Sequence, residues 1–149
     1  MIKTNFCFVE NIEQFLQKRR EGYGLPYIRM DDELKIKLFN YFKLRKNYGD
    51  EESLCYAVFA YRYYAMVDAT EDRYADAQSA RYNDALAHFH EAIKIFQSLY
   101  EKGNVEACAY LAWYWADYGP IESRNTYYLT RDRGHAMFYA NECINNGYA

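Results

Sequence analysis

A chain of 149 residues that is 51% hydrophobic, 26% charged and 19% aromatic, with only 7 Gly and 2 Pro, is not disordered, collagenous or disulfide-dense. Its length suits a single domain, 1–149, with a sizeable core. The net charge of −3 divides unevenly: residues 1–50 carry ten Lys/Arg against seven Asp/Glu and residues 51–149 eight against fourteen, an acidic bias that disfavours a general nucleic-acid binder.

Glu10 and Glu13 follow closely on Met1 and leave no apolar stretch of the kind a secretory leader needs. The longest uncharged apolar run, Leu54 to Tyr61, is far short of the roughly 20 residues that span a bilayer. Cys7, Cys55, Cys108 and Cys143 are widely separated and form no CxxC, as expected of free thiols in a reducing compartment, so the expected setting is cytoplasmic and away from membranes.

Helical periodicity dominates the chain. Ile12, Phe15 and Leu16 predict a short helix over about 10–20, ended by Gly22, with Lys18, Arg19 and Arg20 as its cationic last turn. Gly22, Gly24 and Pro26 make a turn. Asp31 caps a second helix carrying Leu34, Leu38 and Phe42, with Gly49 beyond its end. Asp50, Glu51 and Glu52 open a third, about 52–68, apolar on most faces and so expected to be enclosed. After a polar stretch, Tyr82, Leu86, Phe89, Ile93, Phe96 and Tyr100 stripe a fourth helix that stops at Gly103. A fifth is expected over about 104–118 and, after a long loop, a sixth over about 131–146.

The spacing repeats. A shift of 52 carries Cys55, Ala57, Phe59, Ala60, Tyr61 and Tyr63 onto Ala107, Ala109, Leu111, Ala112, Trp113 and Trp115, small on small and large on large. A shift of 51 carries Ala85, His88, Ala92 and Ile93 onto Ala136, Tyr139, Cys143 and Ile144. Two hairpins of one design in succession are the pattern of an α-solenoid, whose units cannot bury their faces alone. The predicted fold is all-α: an N-terminal helical cap over 1–50, then antiparallel hairpins over 52–103 and 104–149.

These residues resemble the Sel-one-like branch of the tetratricopeptide-type repeats. Ala107, Leu111, Ala112, Trp115 and Gly119 match the family's first helix, and Asp132, Ala136, Tyr139, Cys143, Ile144 and Gly147 its second. The preceding unit matches less well, through Cys55, Phe59, Ala60 and Tyr63 and then Ala85, His88, Phe89, Ala92 and Ile93. The usual Gly of the first helix is Ala60 or Ala112 here, and the loops 69–79 and 119–130 are long for the family. The resemblance implies that Tyr63, Trp115 and Tyr139 are structural aromatics and that the first helix of each hairpin lines a concave, partner-binding side.

No residue pattern calls for catalysis. His88 and His90, two apart on a helix, point about 200° from each other and cannot share an ion. Cys55, Cys108 and Cys143 fall where packing wants a small side chain. Asp31-Asp32 and Glu51-Glu52 sit at helix starts, and no nucleophile elbow, zincin or phosphate-loop motif occurs. No enzyme activity, cofactor or metal is expected.

The remaining signal is aromatic: 18 Tyr, 9 Phe and 2 Trp. Tyr110, Trp113, Tyr114 and Asp117 share one face of the fifth helix, and Tyr61 and Arg62 are their counterparts in the third. Such a set has the composition of interface hot spots and is either the partner-binding surface or a face that packs on the long loops or the N-terminal cap. Arg124, Tyr127, Tyr128, Arg131 and Arg133 form a secondary patch, cationic within an acidic half. The expected function is a non-catalytic protein-binding module, most specifically an inhibitor or immunity-type protein that occludes a toxin or effector. A nucleic-acid accessory role through the basic clusters and tyrosine stacking, or a homo-oligomeric scaffold, is the alternative.

Overall fold

A computed structural model describes residues 2–70, 76–118 and 133–146. The described residues are mostly helical, in the order β1 (Cys7–Phe8), α1 (Ile12–Arg20), a 3₁₀ turn (Leu25–Tyr27), β2 (Ile28–Arg29), α2 (Asp32–Lys43), α3 (Asp50–Thr70), α4 (Asp76–Glu101), α5 (Val105–Asp117) and α6 (Arg133–Asn145). None of their helices is long and apolar enough to cross a membrane. The chain divides into two compact units, Met1–Ile95 and Phe96–Ala149, and the division falls inside α4.

Local chemistry sets the helix ends. Asn11, Asp31 and Asn104 are extended N-caps whose side chains accept from the backbone N–H groups of Gln14, Leu34 and Ala107. Gly22 and Gly103 take φ of 95° and 92°, the left-handed conformation that ends a helix most cheaply at glycine. α4 begins at Asp76, earlier than the apolar stripe alone indicates.

In the first unit, Phe15 of α1, Phe42 of α2 and Phe59 of α3 meet at ring-centroid distances of 5.9, 5.3 and 6.2 Å. All three are buried, each worth about 1.5–3 kcal/mol of transfer free energy. Arg19, in the cationic last turn of α1, is spent on structure: its guanidinium donates to both Glu51 carboxylate oxygens at 2.7 and 2.8 Å and to the Tyr23 carbonyl at 2.9 Å. α3 is enclosed as its composition requires, with every residue from Leu54 to Tyr61 buried. α3 and α4 are spaced by rings: Phe89 packs on Tyr61 at 5.2 Å and on Tyr64 at 4.4 Å.

The segment before α2 is not purely helical. β1 pairs with β2 in parallel, Cys7 opposite Ile28 and Phe8 opposite Arg29, and Lys3 bridges to Tyr23. α1 is the crossover that a parallel pair needs. The buried stripe of α4 also differs from expectation: Ala85, Phe89, Ala92, Phe96 and Leu99 are buried, while Tyr82, Leu86, Ile93 and Tyr100 are only partly covered.

In the second unit α5 and α6 pack closely. Cys108 donates to the Tyr139 carbonyl at 3.2 Å, Trp115 stacks on His135 at 4.3 Å, and Phe96, from the end of α4, stacks on Tyr110 at 5.2 Å.

Candidate functional site

The aromatic face expected on α3 and α5 is only partly at the surface. Tyr61, Tyr110 and Tyr114 are buried. Tyr61 is covered by Phe89 and Tyr110 by Phe96, two rings the helical wheel of one segment does not reveal. Arg62 is half-buried; its guanidinium donates to the Leu25 carbonyl at 3.0 Å and lies over the Phe59 ring. Tyr61 and Arg62 border an open groove of about 470 Å³ with Lys35, Met66 and Arg81. Trp113, 43% exposed, and Asp117 are the two members of the expected set that stand at the surface. Arg124, Tyr127, Tyr128 and Arg131 lie outside the described residues, and Arg133 opens α6.

The structural aromatics are packed. Tyr63 stacks on Phe39 at 4.9 Å, Trp115 on His135, and the buried Tyr139 meets Tyr100 at 5.1 Å while its hydroxyl donates to Gln97 at 3.2 Å. Ile144 is 67% exposed, and with Met137 at 65% and Phe138 at 52% it leaves α6 apolar on the outside. Sequence reasoning missed this surface, although a signal was there: apolar residues surround α6 on all sides, while only Tyr139 and Cys143 among its described side chains are buried.

The most chemically elaborate cluster belongs to the first unit. The Tyr56 hydroxyl, fully buried on α3, lies 2.7 Å from His88 Nδ1 and 2.7 Å from Glu91 Oε1. Lys46 donates to both Glu91 oxygens at 3.0 and 2.8 Å, and Ser53 Oγ donates to the Lys46 carbonyl. Burial works against the Glu91 carboxylate, but hydrogen bonds from Lys46 and Tyr56 prevail and hold its pKa below the ordinary range. Burial, reinforced by Glu91, pushes the Tyr56 phenol far above its own. Tyr56 therefore spends its one proton on the ionised Glu91, and its oxygen accepts from Nδ1–H of His88. The opposite ring nitrogen lies 3.8 Å from Asp84 Oδ1. This chain of donors ties the segment after α2 to α3 and α4. Every member is engaged in holding helices together.

A smaller pair occurs in the second unit. Tyr100 donates to Glu142 at 2.8 Å, and that bond, with some burial, raises its pKa to about 12. Among the described residues no group of three or more His, Cys, Asp or Glu is placed to hold a metal ion.

The class these features define is a mostly helical protein whose polar networks bind helix to helix and whose last described helix carries its apolar side chains outward. No family model, no curated protein and no solved structure matches the chain.

Proposed function

We propose that the chain is a non-catalytic protein-binding module built from Sel-one-like helical hairpins, most specifically an inhibitor or immunity-type protein that covers part of a toxin or effector. The observation that carries this reading is the outward set Trp113, Met137, Phe138 and Ile144, all in the second unit. Large apolar and aromatic side chains exposed at this level are the composition of interaction surfaces, and Trp is prominent among hot-spot residues. The engagement of His88, Tyr56 and Glu91 in one helix-joining network also favours a structural use for the titratable groups.

The test is affinity capture of the tagged full chain from its native host, with bound protein and nucleic acid both identified, and a parallel capture with Trp113→Ala/Phe138→Ser. One stoichiometric protein retained by the parent and lost by the variant, with helicity unchanged, is the expected result. A partner that survives the substitution overturns the surface. Salt-labile nucleic acid, or only further copies of the chain, overturns the protein-inhibitor reading in favour of the accessory or scaffold alternative.

A further inference from the structure

We propose that Cys108 and Cys143 are an oxidisable dithiol pair, closed to a disulfide by a small disulfide of the glutathione class, so that α5 and α6 become covalently joined. The two residues are 35 positions apart, and their helices bring them together. Cys108 Sγ donates to the Tyr139 carbonyl on α6 at 3.2 Å, and Cys143 Sγ lies 3.9 Å from the Val105 carbonyl on α5. Tyr139 is one turn before Cys143, and Val105 is one turn before Cys108. Each sulfur thus reaches the backbone of the opposite helix beside the other cysteine. Such reciprocal reach requires close helix backbones, which is also what a disulfide requires.

The chemistry balances with one oxidant molecule. A cysteine thiolate attacks one sulfur of oxidised glutathione, breaking its S–S bond and releasing one glutathione thiolate, and a mixed disulfide remains on the protein. The second cysteine gives its proton to solvent and attacks the protein sulfur of that mixed disulfide, expelling the second glutathione. Two protein thiols are oxidised and one glutathione disulfide is reduced to two thiols.

Access sets the rate. Cys108 is 2% exposed and Cys143 6%, so the first attack requires an opening of the hairpin and falls to Cys143. Burial raises both thiol pKa values, Cys108 to about 12, so the thiolate is scarce and the exchange accelerates as pH rises. The second attack is then between neighbours and needs no further encounter.

The experiment equilibrates the reduced full chain with glutathione redox buffers under mildly alkaline, native conditions. Free thiols are then alkylated, and the unreduced digest is read by mass spectrometry. Two of the four thiols are expected to disappear with loss of two hydrogens, a peptide joining Cys108 to Cys143 to appear, and the thermal midpoint to rise. The variant Cys7→Ser/Cys55→Ser, which keeps the pair, gives the same cross-link, whereas Cys143→Ser gives none. Four free thiols at the most oxidising ratio, linkages scattered over other pairs, or a cross-link formed only after unfolding in denaturant each overturn the proposal.

Discussion

Glu91 takes hydrogen bonds from Lys46 and from Tyr56, and the pair of donors decides how the first unit responds to acid. The folded chain holds this carboxyl below its unfolded pKa, so its contribution is complete above the ordinary carboxylate range and is lost as pH falls through the depressed folded value. Both members of the ion pair are partly solvated, which discounts the pair to roughly 1 kcal/mol. Glu91→Gln is expected to lower the unfolding free energy at neutral pH by about that much, and with it the thermal midpoint, and the gap from the parent should narrow as pH is taken below the carboxylate range. Thermal unfolding at a series of pH values measures it; a gap that stays constant into acid assigns the effect to packing alone. His88 was visible in the sequence as one of two histidines on a helix, but its partners were not. Tyr56 is 32 positions away and Lys46 42, and no local periodicity reports such pairs.

At the scale of the element, stops and caps were the most legible features because they act within one turn. Asp31, Gly22 and Gly103 were each read from sequence and each does the job its chemistry suggests. The parallel pairing of β1 with β2 was not legible: two residues on each side give no alternating run. The burial of Tyr61 and Tyr110 was hidden for a different reason. A helical wheel shows which residues share a face, and only packing shows that Phe89 and Phe96 cover them. Gly103 allows a clean test of a stop, since a Cβ there meets nothing within 4 Å and any penalty comes from its φ of +92° alone. Gly103→Ala is expected to destabilise by about 1–2 kcal/mol and Gly103→Asn by less, because Asn tolerates the left-handed region. Equal losses in chemical denaturation would mean that the helix end shifts rather than holding its conformation.

Across the whole molecule both units expose large apolar side chains, Phe6, Phe8, Leu44 and Tyr48 in the first, but α3 and α6 use theirs differently. The first wraps α3 from Leu54 to Tyr61 in buried contacts and joins three helices through Phe15, Phe42 and Phe59. In the second, α6 buries Tyr139 and Cys143 and turns Met137, Phe138 and Ile144 outward. Local stability follows buried apolar contact, so native-state hydrogen exchange should find α3 amides opening only with global unfolding and α6 amides opening at lower free energy. A partner that covers Met137, Phe138 and Ile144 binds the closed form and not the open one, so its addition should slow α6 exchange by mass action and leave α3 unchanged. The same comparison with Phe138→Ser should show fast α6 exchange whether or not the partner is present. If α6 in the free protein already exchanges as slowly as α3, its stability owes nothing to a partner, and the outward apolar side chains lose their link to binding.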